Sequence, residues 1–157
     1  MITIVRATEA DWPAARDVRL QALAADPSAF GSTLERELAF TEAHWRQRLT
    51  SGVWHLAFAD GLPVGLVSSR LLTGEQAELE INAMWVRPDQ RGQRVGEQLL
   101  AAALAAAGTR KVRLWVTTGN DAAIALYTRH GFVPTGRTEP LPSDPRLMML
   151  EYALSRA

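Results

Sequence analysis

Three successive strand patterns between residues 53 and 86 constrain the fold of this chain more than any other feature. Residues 53–59 and 64–72 each predict a strand, and turn-forming residues follow both, the second turn falling at residues 73–76. Short connections of this kind predict an antiparallel meander. The third strand, residues 77–86, alternates, and its two predicted faces are Leu79, Ile81, Ala83 and Trp85 on one side and Glu78, Glu80, Asn82 and Met84 on the other.

Further helix and strand patterns on both sides of the meander predict a mixed α/β fold. The sheet is expected to be central, mixed and mostly antiparallel, with about seven strands and flanking helices. Residues 140–145 contain three prolines and predict a rigid connection between the last two strands. The predicted helices are residues 12–23, 42–49, 97–107 and 122–130, and the other strands are residues 2–6, 111–117, 132–133 and 147–154.

Composition excludes several classes of protein. The 157 residues are 47% hydrophobic, enough for a single folded domain over residues 1–157, and 17 basic residues balance 17 acidic ones. A neutral chain argues against nucleic acid or an anionic membrane as a partner. The absence of cysteine excludes a thiolate nucleophile, and the three histidines have no metal-ligand spacing. Without a leader or an apolar run long enough to span a membrane, we expect a cytoplasmic protein.

The turn that follows Val86 contains glycine and arginine residues and leads into a predicted helix. Arg91, Gly92 and Gly96 lie at this junction, together with Arg94. The first amide groups of a helix are unpaired and carry about half a positive charge, and glycine lets a bulky anion approach the backbone. The junction therefore predicts a diphosphate-binding site, although the same residues by themselves also fit an ordinary loop.

A second pattern, with the spacing N-x-x-A-x-x-L-Y-x-x-x-G-F, occupies residues 120–132 and consists of Asn120, Ala123, Leu126, Tyr127, Gly131 and Phe132. It follows the segments MWVRP at residues 84–88 and RGQRVG at residues 91–96. In this order the segments resemble the GNAT superfamily of acyl-CoA-dependent N-acyltransferases. The predicted order of elements is also similar to the fold of that family over nearly the whole chain.

The resemblance implies how acetyl-CoA would bind. The strand that ends at Val86 would part from strand 111–117, and the pantetheine arm would lie in the gap and pair with exposed main-chain groups. A main-chain N–H near Val86 would polarise the thioester carbonyl. The implied cofactor-binding residues are Met84, Trp85, Val86, Arg91, Gly92, Gln93, Arg94, Val95, Gly96, Asn120, Ala123 and Tyr127.

Two of these positions have a second interpretation. Arg94 departs from the family pattern Q/R-x-x-G-x-G/A, which has glycine at that position. Its long side chain must point away from the cofactor, or its guanidinium grips a phosphate. Asn120 contacts the pantetheine, caps its helix, or does both.

The resemblance also implies a general acid at Tyr127. A phenol with a pKa near ~10 can give a proton to a leaving thiolate whose conjugate acid has a pKa near ~8.5. The alternative is that Tyr127 lies on the buried face of its amphipathic helix and packs in the protein core. The attacking amine needs a base, for which Glu80 is the candidate, with Glu78 nearly as suitable and a water chain as a third route. Both glutamates also fit solvated strand positions.

The acceptor pocket is expected near the first two helices and the loop between them. Carboxylates beside aromatic rings suit a cationic amine, and each candidate also fits simple packing or a surface charge. The candidates there are Phe30, Glu35, Glu37 and Trp45.

Together these features predict an N-acetyltransferase that moves an acetyl group from acetyl-CoA to a primary amine. Direct attack in a ternary complex is expected, because the sequence offers no cysteine and no G-x-S-x-G serine for an acyl-enzyme. A non-catalytic acyl-CoA-binding or sensor module on the same fold is the first alternative, and a protein-interaction module is the second. The acceptor is left open, and a homodimer is possible although no sequence feature demonstrates one.

Overall fold

The computed structural model of the protein describes residues 1–74 and 77–155. Within them a seven-stranded sheet has the order β1-β2-β3-β4-β5-β7-β6, and every neighbouring pair is antiparallel except the parallel pair β4 and β5. The predicted fold class is therefore confirmed. The strands are β1 (Ile2–Arg6), β2 (Val53–Ala59), β3 (Leu62–Leu71), β4 (Leu79–Val86), β5 (Val112–Thr117), β6 (Val133–Leu141) and β7 (Asp144–Leu154).

Helices cover the sheet through two core clusters. Leu99 and Leu100 of the fourth helix share one cluster with Leu114 of β5, whereas Val18 and Trp45 of the first and third helices belong to the other. The four predicted helices are present, and each end lies within two residues of the prediction. No helix in the described part of the chain is long and apolar enough to cross a membrane. The helices are α1 (Trp12–Ala25), α2 (Leu34–Leu38), α3 (Glu42–Ser51), α4 (Val95–Ala107) and α5 (Asp121–Arg129).

The predicted meander is confirmed as β2, β3 and β4, and a β-bulge interrupts its last strand. Ser68 of β3 pairs with Ala83, whereas the next residue, Ser69, pairs with Ile81. Asn82 is therefore the extra residue of β4, and such an insertion bends the strand and disturbs pairing on its other side. The predicted second turn at residues 73–76 includes positions 75 and 76, which lie outside the described residues.

The bulge makes the predicted single alternation of β4 wrong beyond Asn82. Ile81 belongs to the core cluster of α4, whereas Trp85 belongs to the cluster of α1 and α3. Met84 packs against the α4 cluster and thus lies on the face opposite to Glu80, not on the same face. One inserted residue shifts the period-two pattern by a whole face, and the alternating sequence carries no sign of it.

The last two strands form a hairpin where the prolines predicted a rigid connection. Leu141 at the end of β6 pairs with Asp144 at the start of β7, so only residues 142 and 143 form the tip. The predicted connection over residues 140–145 is therefore wrong. Pro140 is compatible with a strand because β6 is the edge of the sheet, where a missing N–H leaves the inner ladder intact.

Candidate functional site

A gap between β4 and β5 forms the centre of the site. Their parallel ladder contains three residue pairs, and Ile81 with Leu114 is the last of them. Beyond this pair β4 stays with β3 as far as Val86, and β5 stays with β7 as far as Thr117. The facing edges of the two strands thus present main-chain donors and acceptors to the gap. The predicted parting of these strands is confirmed.

A cavity of about 730 Å³ opens at this gap. Its walls are the end of β4, the turn and first residues of α4, the start of α5 and the segment after α1. Gln93 and Tyr127 are the two residues predicted for cofactor binding that do not line it. The other predicted residues all do, namely Met84, Trp85, Val86, Arg91, Gly92, Arg94, Val95, Gly96, Asn120 and Ala123.

The first turn of α4 gives one wall of this cavity a positive potential. Val95, Gly96 and Glu97 line the cavity, so unpaired amide groups and the positive end of the helix dipole lie at its surface. Arg94, the residue before the helix, has a backbone φ of 61°. This left-handed conformation costs a non-glycine residue about 1–2 kcal/mol, which explains physically why the family pattern has glycine at the position.

Asn120 occupies the corresponding place at α5. Its side-chain oxygen accepts a hydrogen bond from the Ala123 N–H at 3.4 Å, so the predicted capping role is confirmed. Both residues also line the cavity. Because an asparagine side chain has further hydrogen-bonding positions, capping leaves it able to contact a ligand as well.

Tyr127 lies inside the core behind the cavity wall. It is 5% exposed, and its ring packs against Phe132 with a centroid distance of 5.8 Å. Burial raises the pKa of the Tyr127 phenol well above its ordinary value, which makes the phenol a weaker acid. The packing interpretation of Tyr127 is confirmed, and the general-acid role stays a prediction.

Glu80 and Glu78 lie at a second cavity, of about 470 Å³, which also contacts β5, β6 and β7. Glu80 accepts hydrogen bonds from Arg70 at 3.0–3.1 Å. In the ladder between β4 and β5, Glu80 belongs to the second of the three residue pairs. Glu78 forms an ion pair with Arg113, and its hydrogen bond to that guanidinium lowers the pKa of the Glu78 carboxyl. This lowering makes the Glu78 carboxylate a weaker base than an unpaired glutamate.

None of the four residues predicted for the acceptor pocket lines either cavity, so the pocket stays a prediction. Trp45 and Phe30 are buried core residues, and Glu35 is exposed. Glu37 is 1% exposed and accepts hydrogen bonds from Arg19 and from Arg48 at 2.8–3.0 Å. One of the two candidate carboxylates, Glu37, thus belongs to an internal ion cluster, which spacing along the chain does not reveal.

Sequence reasoning missed the segment after α1, which bridges the gap. Asp26 accepts hydrogen bonds from the indole Nε1 of Trp85 at 2.7 Å and from Arg91 at 2.9 Å. Two residues later the carbonyl of Ser28 accepts a hydrogen bond from Thr117 of β5 at 2.8 Å. The sequence Asp26-Pro27 indicated only the end of a helix, because contacts between residues 26 and 91 leave no local pattern.

The histidines take separate structural positions. His44 stacks on Phe40 with ring centroids 3.8 Å apart, His55 is buried in β2, and Nδ1 of His130 lies 2.9 Å from the Leu126 carbonyl oxygen. Among residues 1–74 and 77–155, no group of three or more His, Asp or Glu side chains is placed to hold a metal ion.

The family follows from comparison with known proteins. The model of the Acetyltransferase (GNAT) family matches residues 16–132, a span that includes both sequence motifs. This chain belongs to the GNAT family. RimI of Mycobacterium tuberculosis, an N-alpha-acetyltransferase, is 32% identical over 136 residues, which are 86% of this chain and 80% of RimI. The resemblance inferred from the motifs is confirmed.

Solved structures of other acetyltransferases share the fold. The ribosomal-protein-alanine N-acetyltransferase of Brucella melitensis is 25% identical, with a TM-score of 0.73 over 98% of this chain and 99% of that one. The structure of yncA from Salmonella typhimurium, with its cofactor acetyl-CoA, is 20% identical, with a TM-score of 0.74 over 99% of this chain and 94% of that one. At 20% identity, the similarity to yncA shows a shared fold and nothing more.

Proposed function

We propose that this GNAT protein transfers an acetyl group from acetyl-CoA to a primary amine by direct attack in a ternary complex. The observation that carries the proposal is the gap between β4 and β5, which opens into a cavity beside the first turn of α4. A thioester with a peptide-like arm and a diphosphate needs strand-like hydrogen-bonding groups and an anion site in that arrangement.

The residues around this cavity suit the parts of acetyl-CoA. Main-chain groups of Met84, Trp85 and Val86 would pair with the pantetheine arm, and an N–H near Val86 would polarise the thioester carbonyl. The turn at residues 91–96 would hold the diphosphate, with Arg94 adding charge to the amides of α4. Asn120 and Ala123 would contact the arm from the start of α5.

Proton transfer accompanies the acyl transfer. The amine nitrogen bonds to the acetyl carbon, the carbon–sulfur bond breaks, and the leaving thiolate takes a proton. We assign this proton to Tyr127, because a phenol is protonated at neutral pH and this one belongs to the motif that begins at Asn120 at the start of α5. Burial raises the pKa of Tyr127 and by itself makes it a weaker acid. Burial behind the cavity wall implies that the cofactor or a small side-chain movement brings the two groups together.

We assign the base to Glu80 rather than to Glu78. Glu80 lies next to the point where the strands part, whereas the pKa of Glu78 is lowered by Arg113. Glu80 faces the second cavity, so its proton route to the amine needs an intervening water.

The acceptor class that relatives favour is an amine on a protein. RimI of Mycobacterium tuberculosis is named as an N-alpha-acetyltransferase, and the Brucella melitensis protein as a ribosomal-protein-alanine N-acetyltransferase. We therefore place peptides with free α-amino groups first among the acceptors to test, ahead of lysine side chains, amino acids and polyamines.

Thiol release from acetyl-CoA with a panel of such amines tests the proposal. Acetylation of one class well above the background hydrolysis supports it. Stabilisation by CoA without turnover on any amine would favour a binding or sensor module instead. No stabilisation by CoA at millimolar concentration would remove both.

The remaining predictions belong to the same proposal. We propose one N-acetyltransferase domain over residues 1–157, supported by a sheet that includes strands from both ends of the chain. A cytoplasmic location is supported by the use of acetyl-CoA, and zero net charge supports the absence of a nucleic-acid partner.

A homodimer stays a prediction. Sedimentation at micromolar protein concentration tests it.

A further inference from the structure

The segment after α1 ties together the two strands that the gap separates. On one side Asp26 accepts hydrogen bonds from Trp85 of β4, and on the other side Thr117 of β5 donates to the carbonyl of Ser28. Asp26, Ser28, Trp85 and Thr117 all line the large cavity. Because the β4–β5 ladder has already ended at Ile81 and Leu114, this segment is a short direct connection between the strand ends.

The same carboxylate restrains the arginine of the diphosphate turn. Oδ2 of Asp26 accepts from a terminal nitrogen of Arg91 at 2.9 Å, and Nε of Arg91 donates to the carbonyl of Val86 at 2.9 Å. Arg91 is therefore directed toward β4, and the carboxylate offsets its charge. An anion in the cavity meets both a guanidinium that is already engaged and a nearby negative charge.

We propose that Asp26 is a positioning residue of the acetyl-transfer site, which holds Trp85 and Arg91 in place beside the thioester at the expense of affinity for CoA. The inference rests on the proposed function. Asp26 acts through Trp85, whose indole fixes the end of β4, and through Arg91, which fixes the carbonyl of Val86. Neighbouring main-chain groups of β4 are those expected to meet the thioester.

The variant Asp26→Asn tests this inference, because the affinity for CoA should rise while kcat should fall. The amide can still accept from Trp85 but no longer neutralises Arg91, so we expect the Kd for CoA to fall about three- to tenfold. We expect kcat to fall about tenfold, because a small misplacement of reacting groups is costly. A merely structural role cannot give tighter binding together with slower turnover. Asp17→Asn, which changes an exposed aspartate of the preceding helix α1, is the matched control and should change neither quantity.

Two further variants separate the contacts. In an Arg91→Gln background, Asp26→Asn should no longer tighten CoA binding, because the charge it releases is absent. Trp85→Phe removes the indole donor and keeps the ring packing, so kcat should fall while the Kd for CoA stays within twofold.

Calorimetry measures the Kd for CoA, and steady-state kinetics measure kcat. Weaker binding with slower turnover in Asp26→Asn, or no change in either, would overturn the inference, as would tighter binding with an unchanged kcat. A gain in affinity that persists without Arg91 would also overturn it. If the wild-type protein binds CoA and acetylates an amine but Asp26→Asn behaves like Asp17→Asn, only this inference fails. If the wild-type chain does not bind CoA, the proposed function fails with it.

Discussion

Ile81 and Leu114 form the last residue pair between β4 and β5, and the bulge at Asn82 follows immediately. A one-residue insertion therefore coincides with the point where the sheet opens. A bulge bends its own strand, so the backbone of β4 changes direction at the point where its ladder with β5 ends. The cavity at α4 depends on this relationship.

Replacing Arg94 with glycine should stabilise the fold and weaken cofactor binding. Glycine adopts the left-handed backbone of this position without strain but gives the unfolded chain more freedom, so the free energy of unfolding should rise by a net of about 0.5–1 kcal/mol. Loss of the guanidinium should raise the Kd for CoA about three- to tenfold. Thermal unfolding and calorimetry measure the two effects.

Arg94→Lys is the matched control, since it retains both the charge and the backbone strain. It should resemble the wild type in melting temperature and nearly so in affinity. Tighter CoA binding by Arg94→Gly would show that the arginine side chain obstructs the site.

Removing the hydroxyl of Tyr127 should slow turnover without unfolding the protein. Tyr127→Phe keeps the ring packed on Phe132, and loss of a general acid commonly costs about 100-fold or more in kcat. The melting temperature should change little. Tyr152→Phe, a buried tyrosine of the same core cluster, is the control and should retain its activity. Wild-type turnover by Tyr127→Phe would end the acid assignment.

Glu80→Gln should lower kcat and remove the acidic limb of the pH–rate profile, because the limb reports protonation of the base. Glu78→Gln should leave the profile in place, since Arg113 lowers the pKa of the Glu78 carboxyl and so weakens it as a base. Initial rates between pH 5 and 9 provide the comparison. An unchanged profile in Glu80→Gln would exclude this carboxylate and favour a water chain.

The buried cluster of Glu37 with Arg19 and Arg48 should control stability in acid. Burial raises the pKa of Glu37, but the hydrogen bonds and charge of Arg19 and Arg48 outweigh it and lower the pKa from 4.5 to about 2. A carboxyl whose pKa is lower in the folded state contributes stability above pH 4.5 that is lost as the pH falls toward 2.

Glu37→Gln should therefore cost about 3–5 kcal/mol at pH 7, because the buried guanidinium of Arg19 and the partly buried one of Arg48 lose their counter-charge. Its stability should also depend less on pH between 4.5 and 2 than that of the wild type. Urea unfolding at several pH values measures both. Glu35→Gln, at an exposed neighbouring position, should be neutral, and an equal loss in the two variants would contradict the cluster's role.

Local patterns were sufficient to predict most of the architecture. Glycine and capping signals placed α4 and α5 to within two residues, because such signals act over one helical turn. Two motifs of fixed spacing, around Gly96 and around Asn120, predicted the walls of the large cavity since each lies within one strand–helix junction.

What the sequence could not predict depends on contacts distant along the chain or on a single inserted residue. The bulge at Asn82 reversed the face expected for Met84 without any change in the alternating pattern. Asp26 meets Trp85 and Arg91 through tertiary packing, and the partners of Glu37 were equally invisible. Prolines around Leu141 predicted a loop because proline does not distinguish an edge strand from a connection.

A crystal structure of the protein with CoA tests the central claim most directly. We predict the pantetheine arm between β4 and β5, paired with main-chain groups near Val86, and the diphosphate on the amides of residues 91–96. Phosphates bound anywhere else, with β4 and β5 left without an occupant between them, would contradict the account.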